Sequence, residues 1–308
     1  MIMTFFEFGE EIKEDTQFVI FGIPWDYLTS TDLPNSSIAP EGIRRVTNDI
    51  GYTTELGYYI PEFKVADVGD VNIEATNVKK NLLSIDKFVK DIYHQNDIVI
   101  PIMIGGDHFC TYPVVKAVGD HFHKKEEFGV LIFDAHLDLY QEWDKGVFSH
   151  ATISHRIYDL EYINNKNMFI VGPRDIDIAE LEIAKSEDIK YLNAYEVLEG
   201  LDECLEKIIG FFKISNINNL YISIDIDVFD PSIAPGTGYA MPGGFTYREI
   251  WKILREIARN FNVIAYDLVE VAPNLDLKNR MTLNLAAKLI VEFMSFIMNK
   301  SKNGLNAK

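Results

Sequence analysis

"VLIFDAHLDLY", residues 130–140, runs an apolar stretch straight into Asp134, His136 and Asp138 on alternate positions. A segment that is apolar at every position suits a strand covered on both faces, the habit of parallel sheets flanked by helices. Side chains in a strand repeat with period two, so residues 134, 136 and 138 are expected to project in roughly one direction. One short segment thus predicts both an α/β core and a crowded polar edge where that core ends.

Outward from it the same pattern recurs. Strand candidates are Phe18 to Gly22, Val65 to Val68, Ile98 to Ile104, Val130 to Asp134, Phe169 to Val171, Tyr191 to Asn193, Tyr221 to Asp225 and Val263 to Val269. Between them apolar residues fall at helical spacing: Leu82, Ile85, Val89 and Ile92; Ile250, Ile253, Leu254 and Ile257; Leu285, Leu289, Phe293 and Ile297. The alternation predicts one parallel sheet with helices packed against it. Neither a linker nor an internal repeat divides the chain, so residues 1–308 read as a single domain. "SIAPGTGYAMPGG", Ser232 to Gly244, reads as a long loop between a strand and a helix.

Composition narrows the chemistry. With 47 acidic and 29 basic residues among 308, the formal charge is -18, which argues against nucleic acid and against an anionic membrane surface as partners. Uninterrupted apolar runs are short pieces, far below the ~20 residues that span a bilayer. The opening MIMTFFEFGEEIKE carries acid where a secretory leader carries base, so the expected compartment is the cytoplasm. Cys110 and Cys204 are too few for a thiolate zinc site, and Cys110 reads as a small buried hydrophobe.

Three predicted strands end in polar clusters: "GGDH" (105–108), "DAHLD" (134–138) and "DIDVFD" (225–230). Ligands of open α/β sheets sit at the carboxyl ends of strands, so His108, Asp134, His136, Asp138, Asp225 and Asp227 are expected to converge. Four carboxylates that close repel one another unless cations neutralise them. Two divalent ions satisfy the demand. Oxygen and imidazole donors without thiolate point to Mn2+ first, with Co2+, Ni2+ or Zn2+ behind it. Taken alone, "GGDH" reads equally as a turn in which Asp107 caps a helix.

Together these residues resemble the ureohydrolase family, which includes arginase and agmatinase. The resemblance rests on "GGDH", "DAHLD" and "SIDIDVFDPSIAPGTG" (Ser223 to Gly238). It extends to "GIPWD" (Gly22 to Asp26), "DVGDV" (Asp67 to Val71), "SHAT" (Ser149 to Thr152), "PGG" (Pro242 to Gly244) and "DLVEVAP" (Asp267 to Pro273). It implies a three-layer αβα sandwich around a mostly parallel eight-stranded sheet, and a homo-oligomer, trimer or hexamer. It also implies a dinuclear manganese site whose bridging hydroxide cleaves a guanidino group to an amine and urea. By resemblance His108, Asp134, Asp138 and Asp225 hold one ion, Asp134 and Asp225 are shared, and His136 and Asp227 complete the other. Glu270 would grip the guanidinium and His150 would carry protons to the leaving amine. Chemistry alone does not choose between His150 and His155; His155 otherwise reads as a helix-surface side chain, and His121 and His123 read as a solvated loop.

The motifs look more like agmatinase than arginase, implying agmatine as substrate and putrescine as product; arginine and guanidinobutyrate are the alternatives. A two-metal phosphoesterase, for which no Arg or Lys lies within the motifs and Arg174 is the candidate phosphate clamp, and a non-catalytic binding protein are the rivals from other classes. Three departures bear on the substrate: Tyr239, Ala240 and Met241 make a bulkier wall, Asp177 stands where arginases meet an α-amino group, and Thr31 to Pro40 lacks the usual Arg and Gly turn. Glu142, Trp143 and Asp144 are further candidates to line the pocket and meet a distal ammonium.

Overall fold

The computed structural model describes residues 3–27, 35–74, 76–123, 126–144 and 146–305, with Leu198 and residues 301–305 described by their backbone alone. Eight strands form one sheet: β1 (Phe18–Ile23), β2 (Val65–Asp70), β3 (Ile100–Gly105), β4 (Phe128–Phe133), β5 (Met168–Val171), β6 (Lys190–Leu192), β7 (Asn219–Asp225) and β8 (Asn262–Val269). Their order is β2-β1-β3-β8-β7-β4-β5-β6, and each neighbouring pair is parallel. All eight sequence candidates are strands. The third begins at Ile100 rather than Ile98, because Ile98 is 77% exposed and precedes the point where the chain enters the core.

Among the described residues eight α-helices accompany them: α1 (Ala39–Val46), α2 (Val78–Gln95), α3 (Thr111–Phe122), α4 (Ile153–Tyr158), α5 (Ile178–Ser186), α6 (Leu201–Ile214), α7 (Tyr247–Asn260) and α8 (Met281–Leu305). The core splits by strand periodicity into two halves. Leu131 and Phe133 of β4 pack with Ile43 of α1, Ile208 of α6, Ile253 of α7 and Leu289 of α8 on one face. Val130 and Ile132 pack with Val89 of α2, Val114 of α3, Ile157 of α4 and Ala184 of α5 on the other. Covered on both faces, the central strands are largely apolar, and the result is the expected three-layer αβα sandwich.

One stretch of α8, Met281–Lys300, is long and, on average, apolar enough to cross a membrane, although each uninterrupted apolar run within it is short. It is 67% buried inside the sandwich, as a core helix is. At the amino end, Asn35–Pro40 enters α1, whereas residues 31–34 of the departing Thr31 to Pro40 segment lie outside the described residues.

What positions the site is the insertion of β8 between β3 and β7. The four central strands β3, β8, β7 and β4 are consecutive neighbours, so "GGDH", Glu270, Asp225 and Asp134 emerge side by side along one edge.

Candidate metal centre

The convergence expected of the six ligands is present, but not for the expected reason. β4 ends at Phe133 and β7 at Asp225, so no strand continues through residues 134–138 or 226–228. Carboxylate-capped turns shape both segments instead. Asp134 Oδ1 accepts the His136 amide at 2.7 Å, and Asp225 Oδ1 accepts the Asp227 amide at 2.8 Å in a 3-10 turn, Ile226–Val228. Asp227 Oδ1 then accepts the Ala135 amide at 3.0 Å, tying one turn to the other. Asp138 takes a left-handed φ of 52°, which folds its carboxylate back toward the other ligands.

Two groups of donors result, sharing Asp134. In the first, His108 Nδ1 lies 2.9 Å from Asp134 Oδ2, 3.3 Å from Asp138 Oδ2 and 3.2 Å from Asp225 Oδ2. In the second, His136 Nδ1 lies 3.3 Å from Asp134 Oδ1 and 3.1 Å from Asp227 Oδ2. His108 Nδ1 and Asp134 Oδ2 are fully buried and make no hydrogen bond despite their closeness. Buried polar atoms without partners are rare, and two that face a common point fit a cation between them. The donors, four carboxylates and two imidazoles, match a hard divalent ion.

Electrostatics agree with that reading. Burial pushes Asp138 and Asp225 well above the usual carboxylate range, and neighbouring carboxylates push the same way. Burial also works against ionised Asp134, yet the His108 and His136 imidazoles hold its acid below its ordinary value. Against the same desolvation, the aspartates drive both imidazoles upward. Without divalent ions, protons on these groups supply the missing positive charge.

Behind the ligands the core is hydrogen-bonded. His108 Nε2 meets Ser223 Oγ at 3.0 Å, and Ser223 donates to the buried Asp267 at 2.7 Å; Tyr221 donates to the other Asp267 oxygen at 2.5 Å. Glu270, with φ 61°, accepts the His108 amide at 2.7 Å and donates its own amide to Gly106 O at 2.8 Å. Burial and the nearby Asp107 raise its carboxyl to about 8. Asp107 does not cap the following turn; its Oδ2 accepts the Tyr27 amide at 2.6 Å. Gly106 is obligatory there, since a Cβ would stand 1.9 Å from Trp25 O. Cys110 faces the Ile23 and Trp25 carbonyls within the core, not the ligands.

Beside the metal groups opens a cavity of about 330 Å³. His136, Asp138 and His150 line its inner end; Tyr140, Trp143 and Tyr239 supply aromatic walls. Tyr239 meets the His136 ring edge to face at 5.7 Å. His150 opens a one-turn helix, Nδ1 3.3 Å from Ser149 Oγ, whereas His155 spends Nδ1 on Leu139 O at 3.0 Å and does not line the cavity. Asp177 does line it, with Asp175 and Glu180, two carboxylates that sequence reasoning missed. The amide of Ala179 and the Tyr140 hydroxyl hold Asp177 below the usual range. The signal for Asp175 was in "PRDID", beside Asp177.

Three expectations need correction. Glu142 and Asp144 are exposed and line no part of this cavity, because the loop turns back at a Trp143–Gly146 bridge and only Trp143 points in. His121 and His123 are not a solvated loop: they close α3, stacked on Tyr93 and Tyr162 at 4.0 and 4.9 Å. His155 is half-buried and braces the metal loop rather than lying on a helix surface.

A buried carboxylate and imidazole cluster at the carboxyl edge of a doubly wound parallel sheet, open to a cavity, is the centre of a metal-dependent α/β hydrolase. Comparison with known proteins narrows the class. The arginase family profile matches residues 16–295. Agmatinase of Bacillus subtilis is 34% identical over 283 residues, covering 91% of this chain and 92% of that protein. N(1)-aminopropylagmatine ureohydrolase of Thermus thermophilus is 31% identical over 289 residues, 92% of each. The crystal structure of a putative agmatinase from Clostridium difficile superposes with a TM-score of 0.80 at 29% identity, over 93% of this chain and 99% of that one. The chain belongs to the arginase family, and so to the hydrolases of amidino C–N bonds.

Proposed function

We propose that the protein hydrolyses agmatine to putrescine and urea at a pair of manganese ions. The observation that carries this reading is the cavity's charge. Asp175, Asp177 and Glu180 line it, and no Lys or Arg stands among the described residues that do. Such a wall attracts a distal ammonium and repels the carboxylate of guanidinobutyrate. Asp177 offers the ammonium an ionised partner, and the Tyr140, Trp143 and Tyr239 rings offer cation–π faces. The relatives named agmatinase point the same way.

His108, Asp134, Asp138 and Asp225 would hold one ion, and His136 and Asp227, with Asp134 and Asp225 shared, the other. When bound, the pair supplies a water acidified to near neutrality and Lewis acidity at the guanidino carbon. The chain's own residues do the rest. Glu270, its Oε1 already holding the His108 amide, has its second oxygen for a guanidinium N–H. His150 stands at the cavity wall, placed to hand a proton to the departing amine, which leaves poorly unless protonated. Tyr239 and Trp143, which line the cavity, would screen the guanidino group from solvent.

A phosphoesterase reading loses its support, because the Arg174 guanidinium spends its donors on backbone carbonyls. The family resemblance extends the proposal to a cytoplasmic homo-oligomer, trimer or hexamer, built from one ureohydrolase domain, residues 1–308.

Urea release in Mn2+ tests the assignment against agmatine, N(1)-aminopropylagmatine, arginine, guanidinobutyrate and guanidinopropionate. Agmatine is expected to give the highest kcat/KM. Preference for a guanidino acid would replace the substrate; silence from all five would remove the activity.

A further inference from the structure

Arg174 leaves β5 in the "PRDID" loop and is half-buried, with no carboxylate among the described residues in hydrogen-bonding contact. Its side chain instead gathers carbonyls from separate segments. Nη2 donates to Asp227 O, to Phe229 O at 3.2 Å and to Met241 O at 2.9 Å, and Nε donates to Met241 O at 3.2 Å. Longer contacts run from Nη1 to Val228 O at 3.4 Å and Gly172 O at 3.5 Å. Its amide is tied to Ala135 O at 2.8 Å, inside the other metal loop.

The receiving segments are the ones that build the site. Residues 227–229 carry Asp227, and Met241 lies two residues beyond Tyr239, whose ring meets His136. The loop between them closes on itself: Phe245 donates to Val228 O at 3.0 Å, and Asp230 to Phe245 O at 3.0 Å. Arg174 staples Met241 to the stem of that loop. Residue 244 is glycine where the chain packs on that stem: an added Cβ would stand 2.5 Å from Phe229 C and 2.6 Å from Asp230 N, and 2.7 Å from Nη2.

We propose that Arg174 is a positioning residue that locks the Asp227 turn to the Tyr239–Met241 wall, so that one side chain sets both the second metal position and the substrate wall. The inference rests on the reading of His136 and Asp227 as ligands. A guanidinium can do this because its donors lie in a rigid planar fork that spans several carbonyls; an ammonium donates from one atom. Arg174→Lys keeps the charge and loses the fork.

Two measurements on Arg174→Lys, with Arg174→Gln as the second variant, test the clamp. The first uses metal-free protein and chymotrypsin, whose cleavage after Tyr239 is expected to quicken at least about tenfold over wild type, a loop-opening change of ~1.4 kcal/mol. The second is Mn2+ titration followed by electron paramagnetic resonance. One ion should bind as in wild type and the other about 10- to 100-fold more weakly, the spin-coupled signal giving way to that of an isolated ion. Unchanged cleavage at Tyr239 overturns the clamp. So does a titration in which both ions bind as in wild type, or both weaken in step, as mere destabilisation would produce. Should wild type itself fail to bind a pair, the ligand reading fails, while the cleavage result still decides the clamp.

Discussion

His108 Nε2 and Ser223 Oγ stand 3.0 Å apart in the core, and that contact decides which ring nitrogen faces the carboxylates. Ser223 gives its own proton to Asp267, so its oxygen is left to accept from Nε2–H. In the neutral ring that a cation would require, Nδ1 is then the bare nitrogen, aimed at Asp134, Asp138 and Asp225. Ser223→Ala removes the hold while Tyr221 still satisfies Asp267. Metal affinity is expected to fall about 10- to 100-fold with the fold intact, as for lost outer partners of ligating histidines. Direct titration with Mn2+ checks this, and wild-type affinity in the variant would remove Ser223 from the account.

Asp225 illustrates a conflict between stability and function. It is buried among like charges that oppose its ionisation. Asp225→Asn relieves this in the metal-free protein, and the Tm without metal is expected to rise while metal uptake and urea release collapse. A variant whose metal-free Tm falls would show that the cluster is not electrostatically strained.

The pH dependence of stability should reverse sign with metal. In the metal-free fold Glu270 is raised to about 8 and Asp107 to about 7, chiefly by burial, and Asp138 and Asp225 are raised as well. Folded-state carboxyls so raised bind protons that the unfolded chain has lost at its ordinary value of ~4. Their contribution is therefore fully present below about pH 4 and is lost as pH rises through 7 and 8. Metal-free Tm is expected to climb as pH falls from 8.5 to 6. Ions displace those protons, so the loaded protein should instead lose stability over the same interval. Parallel Tm curves for the two forms would contradict this.

Asp177 can be tested without disturbing its structural duty. It caps α5 in a capping box with Glu180, and asparagine caps about as well as aspartate. Asp177→Asn therefore removes charge and little else. KM for agmatine should rise about tenfold or more, as for a charged hydrogen bond worth ~1.5 kcal/mol or above, with KM for a guanidine lacking a distal amine unmoved. Glu142→Gln, at an exposed position outside the cavity, serves as the neutral comparison.

Much of this was legible in the chain because short, largely apolar runs, several of them reading as buried on both faces, alternate with stretches of helical period, and each of the eight runs marked a strand. Strand order was not legible. That β8 enters between β3 and β7 depends on long-range packing, and this is what brings Glu270 beside His108. The six residues proposed as ligands were brought together by an argument of strand periodicity that the structure does not follow: turns capped by Asp134 and Asp225 do the aiming. Asp175 and Glu180 escaped notice because a carboxylate on a loop or a helix's first turn looks like any solvated acid until the fold turns it toward a cavity. Arg174 was weighed as a phosphate clamp because sequence shows its charge but not the five carbonyls around it.

Counting metal tests the central claim most directly. Protein equilibrated with Mn2+ at neutral pH, dialysed and assayed by plasma emission should carry two ions per chain, and Asp134→Ala, which removes the shared ligand, should carry none. Wild-type protein that is folded yet retains no divalent ion, or an Asp134→Ala variant that retains both, would contradict it.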